Sequence, residues 1–355
     1  RSPHYKRMHT LGIVTLLFVG CAIIALGESS IKRKQLYFIY GLTGFLMVLA
    51  AGLRDGNTVS DYKTYLNMFQ YPEEASTVEP TFTLIGSLVK AVCPWPVLLF
   101  VIYASIGVTC KILAIKRLTS LLFLSLVIYI SNVYLLHDMT QIRAGVASGI
   151  FLLAIRPLAE HKIFRYTALI LLASLFHYSS LLLLPLVVLK NQPIASKSKY
   201  LWWSIVPLGF IVHGTMFDIS VIPIESIRLK LEMYQHLQEQ SVQGFTDANL
   251  FNPYFLFRCA LYYGMLWKRD TIGTYNPYFP LLIKIEGIAL FLFPALSFIS
   301  LLGYRGSELL GVVEIILYPL FMYAFRPRIA AKMAVIGIGT LLLAVNIIHK
   351  HLIFT

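Results

Sequence analysis

Long apolar segments, separated by short polar connections, extend along almost the entire chain. A helix of about 20 residues crosses a hydrocarbon core of about 30 Å, and several of the segments approach or reach that length. The pattern predicts an all-α polytopic membrane protein with about 12 transmembrane helices, in one integral membrane domain over residues 1–355. The predicted spans lie near residues 10–27, 36–53, 96–115, 118–136, 143–156, 163–176, 178–189, 200–217, 253–268, 279–302, 308–324 and 329–349.

The composition supports this class of protein. The chain is 57% hydrophobic and only 13% charged, with a mean hydropathy of +0.72, whereas soluble domains carry about 25% charged residues. The net charge of +13 comes from basic residues scattered between the spans, which argues against a nucleic-acid partner because such proteins concentrate charge on one surface. The four cysteines show no CxxC spacing, so neither a metal site nor a disulfide framework is predicted.

Basic residues mark alternate connections between the spans. By the positive-inside rule these connections are cytoplasmic, and the two longest connections, 54–95 and 218–252, then face outward as periplasmic loops. The basic groups are Lys32-Arg33-Lys34, Lys116-Arg117, Arg156 with Lys162 and Arg165, Lys190 with Lys197 and Lys199, Lys268-Arg269, and Arg326 with Arg328 and Lys332.

This alternation requires residues 166–189 to form two short helices that meet near His177, because one long helix would move every later basic connection to the wrong face. Broken helices at membrane depth are tolerated where they line a cavity. The outer loop 54–95 contains a second irregularity. Residues 80–92 are amphipathic and short, and they predict an interfacial or re-entrant helix.

Charged residues collect at the predicted outer ends of several spans. Arg54, which follows the second span, has planar donors that suit a phosphate, although an interfacial anchor beside Tyr62 explains it equally well. Arg143 lies in the first turn of its span, after the candidate N-caps Asp138 and Thr140. A helix N-terminus attracts anions and disfavours a cation, so Arg143 points to an anionic ligand.

Other candidates have weaker local signals. His177 lies at the predicted helix break, where an imidazole can act as a base or bind phosphate, but a buried structural histidine is the plain alternative. Arg305 marks another outward end, with Glu308 as an alternative partner. Arg258 lies within a span and suits a structural ion pair, and Glu79 begins the short amphipathic helix.

Several cations in one cavity repel each other unless an anion with several charges is bound. A lipid-linked pyrophosphate, with a polar head at the surface and its chain in the membrane, meets this requirement. The chain has no DxD or HExxH spacing and no glycine-rich phosphate loop. We therefore expect no metal and no cofactor.

Four segments, in this order and spacing, carry a resemblance to a known family. They are Arg54 with Val59-Ser60-Asp61-Tyr62 and Tyr65, then Glu79-Pro80-Thr81-Phe82, then Gln141-Ile142-Arg143-Ala144, then Leu172-Ala173-Ser174-Leu175-Phe176-His177-Tyr178-Ser179. Together they resemble the EpsG-like branch of the Wzy-type polysaccharide polymerases. Val59-Ser60 stands where that family often shows Gly-Thr, and Tyr304-Arg305-Gly306 is a looser match to its late outward arginine.

The resemblance implies a glycosyltransferase of the bacterial inner membrane that assembles O-antigen, capsule or exopolysaccharide. Such an enzyme joins undecaprenyl-pyrophosphate-linked repeat units at the periplasmic face. The growing chain passes from its lipid carrier to a hydroxyl of the next unit, and undecaprenyl pyrophosphate leaves. The expected partners are these glycans, membrane lipids and a chain-length regulator protein.

On this resemblance Arg54, Arg143 and Arg305 hold the pyrophosphate and stabilise its departing charge. Asp61 or His177 accepts the proton of the attacking hydroxyl. A transporter or flippase of lipid-linked sugars and a membrane O-acyltransferase remain alternatives, although no internal repeat supports the first. The further substrate-binding candidates are Tyr62, Glu79, Gln141, Tyr178 and Arg258.

Overall fold

The computed structural model describes residues 3–56, 59, 61–72, 78–214, 225–240 and 247–353, which form helices and no β-strand. Each of the twelve predicted spans overlaps a helical segment, but the break predicted at 303–307 is wrong, because one helix ends at Leu296 and the next runs from Ser300 to Leu310. Within the described residues, eight helices are long and apolar enough to cross a membrane. The predicted class, an all-α polytopic membrane protein, is therefore confirmed.

The first of two compact units comprises Arg1–Lys190 and Glu314–Thr355. Two segments in it are π-helices, Tyr129–Thr140 and Val345–His349, and one long 3-10 segment covers Tyr178–Val188. The α-helices of this unit are α1 (Pro3–Gly27), α2 (Arg33–Gly52), α3 (Tyr62–Gln70), α4 (Pro80–Val92), α5 (Pro96–Leu118), α6 (Leu122–Ile128), α7 (Ile142–Ala159), α8 (Ile163–Phe176), α15 (Glu314–Leu317) and α16 (Arg328–Ala344).

The second unit comprises Asn191–Val313. Its α-helices are α9 (Lys199–Gly214), α10 (Glu225–Glu239), α11 (Pro253–Trp267), α12 (Arg269–Gly273), α13 (Phe279–Leu296) and α14 (Ser300–Leu310). Most of the described part of residues 218–252, the predicted outer loop, is helix α10, whose Leu231 packs against Ile299. Residues 215–224 and 241–246 of that region lie outside the described residues.

Helices α5 and α7 pack closely at the centre of the first unit, because small residues line their contact. Where α7 meets α5, a Cβ atom on Gly149 would lie 2.9 Å from the carbonyl oxygen of Gly107. Where α7 meets the π-helix, a Cβ atom on Gly145 would lie 2.4 Å from the carbonyl oxygen of His137. Neither position accepts a larger residue without a backbone shift. Small residues at membrane helix contacts let the backbones approach, and here they fix the start of α7.

A buried ion pair joins α5, the π-helix and α7. The Lys111 ammonium donates to the Asp138 carboxylate at 2.8 Å and to the Gly145 carbonyl at 2.6 Å. The Tyr129 hydroxyl donates to the other Asp138 oxygen at 2.9 Å. Both charged side chains are at most 1% exposed, so each charge depends on the other and on these hydrogen bonds.

The predicted N-caps of α7 are wrong. Asp138 and Thr140 lie inside the π-helix, and α7 starts after Gln141 without a side-chain cap. The Asp138 carboxylate takes the charged Lys111 partner, since charge-assisted hydrogen bonds are roughly twice as strong as neutral ones. The Thr140 hydroxyl instead donates to the Leu135 carbonyl at 2.9 Å.

The predicted break near His177 is confirmed. Helix α8 ends at Phe176, His177 has an extended backbone (φ −155°, ψ 112°), and the 3-10 segment follows. The Tyr166 hydroxyl donates to the Leu183 carbonyl at 2.5 Å. Because these residues lie on opposite sides of the break, the two segments form a hairpin that returns the chain toward the side on which α8 begins. The amphipathic helix predicted at 80–92 is likewise present as α4.

Replacing Lys111 tests the buried ion pair. Lys111→Met leaves the Asp138 carboxylate buried without its counter-charge, and we expect a loss of about 3–5 kcal/mol in the free energy of unfolding. The double variant Lys111→Met/Asp138→Leu should recover much of that loss. The measurement is SDS titration in detergent micelles, with Lys116→Met on an exposed part of the same helix as a control. Equal destabilisation of the single and double variants would argue against the pair.

A cysteine at Ser196, in a background without the four native cysteines, tests the topology of the hairpin. Because the break returns the chain to the side of Lys162, a membrane-impermeant maleimide should label this cysteine from the cytoplasm. A cysteine at Lys162 is the matched control and should report the same side. Labelling of Ser196→Cys from outside would show that residues 166–189 cross the membrane once.

Candidate functional site

Three residues far apart in the sequence meet in the first unit. Glu79 is the N-cap of α4, Arg143 lies in the first turn of α7, and His177 is the extended residue at the break. One Glu79 carboxylate oxygen accepts a hydrogen bond from Arg143. The other lies 3.1 Å from Nδ1 of His177 and 3.4 Å from the backbone nitrogen of Tyr178. We call Glu79, Arg143 and His177 the Glu79 cluster.

Local contacts place the members of the Glu79 cluster. The Thr81 hydroxyl donates to the Leu175 carbonyl at 2.6 Å, which ties the start of α4 to the end of α8. The Arg143 guanidinium carbon lies 5.4 Å from the centre of the Tyr65 ring and 5.9 Å from that of Phe82. Cation–π contacts of this length hold the guanidinium plane in position.

The Glu79 carboxylate is ionised at neutral pH. Burial alone raises the pKa of Glu79, but the hydrogen bond with His177 and the charge of Arg143 together lower it to about 2. An ionised carboxylate can only accept hydrogen bonds, so the imidazole of His177 donates from Nδ1. In the neutral imidazole Nε2 is then the acceptor, which is the arrangement of a carboxylate-oriented general base.

Exposure separates the roles of the three side chains. Glu79 is 5% exposed, whereas Arg143 is 19% exposed and His177 is 16% exposed. The carboxylate is therefore sealed behind its two partners, and the imidazole and guanidinium form the accessible surface. The anion that the sequence led us to expect at Arg143 is thus supplied by the protein itself.

Arg54 forms a second cationic position in the same unit. Its side chain is 6% exposed, and one Nη donates to the Ala51 carbonyl at 2.5 Å. Its Nε and second Nη are buried and have no hydrogen-bond partner among the described residues. Burial lowers the pKa of Arg54 to about 10, so the side chain keeps its charge at neutral pH.

An aromatic layer supports Arg54. Its guanidinium carbon lies 4.6 Å from the centre of the Phe100 ring and 5.6 Å from that of Tyr62. These two rings stack on each other with centroids 4.3 Å apart. The layer fixes the plane of the guanidinium but supplies no hydrogen-bond acceptor to its two remaining donors.

The other candidates in the first unit lie near these two positions. Asp61 precedes α3 and its backbone carbonyl accepts from Tyr65 at 3.0 Å, one helical turn from the ring under Arg143. Gln141 is the residue immediately before α7, and Tyr178 follows His177 with a ring that is 47% exposed. Asn57, Thr58 and Ser60, in the same loop as Asp61, lie outside the described residues.

Two predicted site residues belong to the second unit. Arg258 is buried and pairs with Glu286 at 3.2 and 3.4 Å, and it donates to the Ser307 hydroxyl at 2.8 Å. This is the geometry of a structural ion pair between α11, α13 and α14. Arg305 lies within α14 and not in a connecting segment, because this helix begins at Ser300, eight residues earlier than the span predicted from Glu308.

Sequence comparisons place this fold in a family. The model of the EpsG family matches residues 12–354. The chain belongs to the EpsG family, and it is a multi-pass membrane protein of polysaccharide biosynthesis. It is 24% identical over 342 residues to the amylovoran biosynthesis protein AmsC of Erwinia amylovora, an alignment that covers 90% of this chain and 88% of that protein. No solved structure matches the chain.

The ionised state of Glu79 makes a pH-dependent contribution to stability. Its pKa in the folded protein, about 2, is below the ordinary 4.5, so the contribution is present above pH 4.5 and is lost as the pH falls toward 2. At pH 7 we expect Glu79→Gln to lose about 1–3 kcal/mol of the free energy of unfolding. The difference in stability between the variant and the unmodified protein should narrow below pH 4.5. Thermal unfolding of both proteins at pH 7, 5 and 3 measures this difference. A difference in unfolding temperature that stays the same at all three pH values would contradict the prediction.

The exposed Glu239, which lies 3.3 Å from Nδ1 of His236, supplies a matched control. Glu239→Gln removes a similar glutamate–histidine contact at the surface, where such pairs contribute little. It should leave the unfolding temperature almost unchanged at all three pH values.

Proposed function

We propose that this protein is a glycosyltransferase that polymerises undecaprenyl-pyrophosphate-linked oligosaccharide repeat units at the periplasmic face of the inner membrane. The observation that carries the proposal is the carboxylate–imidazole pair of Glu79 and His177, in which Nδ1 faces Glu79 and the side chain of His177 is partly exposed. Membership of the EpsG family and similarity to an amylovoran biosynthesis protein support the substrate class.

In the proposed reaction, Nε2 of His177 accepts the proton of a sugar hydroxyl on the acceptor unit. The oxygen of that hydroxyl bonds to the anomeric carbon of the donor chain. The bond between this carbon and the pyrophosphate oxygen breaks, and undecaprenyl pyrophosphate leaves with the electron pair. The Glu79 carboxylate stabilises the imidazolium that forms, as the carboxylate does in a catalytic triad.

The arginines stabilise the leaving pyrophosphate. Arg54 offers two buried donors that the described residues do not satisfy, and charge-assisted bonds to phosphate are strong. Arg143 holds Glu79 and presents its partly exposed guanidinium beside His177. Arg305 stays a separate prediction from the sequence, and Asp61 is the alternative base.

Chain growth in liposomes tests this reaction. The full-length protein, reconstituted with lipid-linked repeat units and no nucleotide, should produce longer glycans on a gel. His177→Ala should lower the rate by about 10²–10⁴, the usual contribution of a general base. Arg143→Ala and Arg143→Lys should also abolish growth, because Lys cannot reproduce a planar guanidinium contact.

A matched control is His236→Ala, which removes the exposed histidine of α10 and should leave chain growth unchanged. Asp61→Asn separates the two candidate bases, since full activity of this variant assigns the proton transfer to His177. Normal chain lengths in both His177→Ala and Arg143→Lys would refute the proposed site. Movement of intact units across the bilayer without growth would instead indicate a transporter.

A further inference from the structure

An apolar groove between α1 and α2 ends at Arg54. The cavity has a volume of about 650 Å³, within the usual range for small-molecule sites. Leu16, Leu17, Leu46 and Leu49 line its wall, and Arg54 and Asp55 lie at its end. A surface of this shape, with an apolar wall and a charged end, matches the shape of a lipid with a charged head.

The Arg54 end of this groove favours an anion. A buried charge is costly unless it is paired and hydrogen-bonded, yet Nε and one Nη of Arg54 have no partner in the described part of the chain. Asp55 at the same end is more exposed than Arg54, so water screens its charge more strongly. An apolar groove alone would accept any lipid, but the buried guanidinium selects one with an anionic head.

The Glu79 cluster favours an added anion less strongly than Arg54 does. The charge of Arg143 already has a carboxylate partner in Glu79, and of its buried nitrogens only Nε lacks a partner in the described part of the chain. The acceptor of Arg54 is the neutral Ala51 carbonyl, and both its Nε and one Nη lack partners there. The two guanidiniums also lie over different rings, Arg143 over Tyr65 and Phe82 and Arg54 over the layer of Phe100 and Tyr62. An anionic lipid head therefore gains more at Arg54.

We propose that the groove between α1 and α2, here the Arg54 groove, holds the chain of a polyprenyl phosphate lipid with its phosphate at Arg54. The inference rests on the proposed function, in which the donor glycan carries such a lipid on its pyrophosphate. A single groove with one cationic end suits one long chain and a compact phosphate head, and it suits a two-chain phospholipid less well. The groove thus orients the donor by its lipid, apart from its sugars.

Photo-crosslinking of the full-length protein in nanodiscs tests this site. The probe is a polyprenyl phosphate with a diazirine near the head, in phosphatidylcholine. It should label peptides from α1 and α2, and Leu46→Trp, which fills the groove, should reduce labelling at least about fivefold. Leu42→Trp makes the same change one turn earlier, outside the groove and at similar exposure (46% against 44%), and should label normally. Equal labelling of both variants would overturn the site.

Competition identifies the source of the phosphate. Unlabelled polyprenyl phosphate should displace the probe, while a tenfold excess of phosphatidylglycerol or of polyprenol without phosphate should not. Arg54→Gln should remove this preference for the phosphorylated lipid. If phosphatidylglycerol competes equally well, the groove is a general lipid crevice and the proposal is wrong.

His177→Ala distinguishes failure of this inference from failure of the proposed function. Both the lipid site and the proposed function are supported if the variant is labelled normally but does not extend glycans. If the unmodified protein is not labelled but glycan growth still depends on His177, the lipid site is refuted and the proposed function is retained. If His177→Ala shows normal labelling and normal glycan growth, the lipid site is retained and the role of His177 as the base is refuted.

Discussion

The carboxylate of Glu79 holds the centre of the first unit together. Its two oxygens contact Arg143 and His177, which are 64 and 98 residues away in the sequence. A buried carboxylate in a membrane protein needs such partners, because neither lipid nor bulk water is available to solvate it. The position of α4, the start of α7 and the bend after α8 are therefore mutually dependent, and loss of one would leave the charges of the others without partners.

A second buried charge fixes the same helix from the other side. Lys111 binds Asp138 and also the carbonyl of Gly145, two residues after Arg143. The first turn of α7 is thus held toward α4 by the ion pair of Arg143 with Glu79, and toward α5 by the hydrogen bond from Lys111 to the Gly145 carbonyl. Since π-helical turns often occur at functional sites, the irregular backbone before α7 fits a region whose geometry is set by side-chain charge as well as by regular hydrogen bonding.

The amino-acid pattern predicts the helices well and the pairings poorly. Apolar runs set the position of most spans, although the predicted boundary between α13 and α14 is misplaced. The alternation of basic connections requires the break at His177, which the structure contains. The contact of Glu79 with Arg143, and that of Asp138 with Lys111, had no local signal, because the partners are distant in sequence and hydrophobicity says nothing about which charges meet. Asp138 is an example, because its residue type and position predict an N-cap, whereas the structure uses it in a buried ion pair with Lys111.

The shortness of α8 has a consequence for how the protein and its bilayer affect each other. Its 14 residues extend about 21 Å at 1.5 Å per residue, less than the hydrocarbon thickness of about 30 Å. On the proposed topology, the imidazole at its end is recessed several ångströms below the outer headgroups, and the sugar of the proposed reaction would reach it between protein walls. On that topology, the depth of the imidazole varies with membrane thickness, so acyl-chain length in the surrounding lipids would affect access to it.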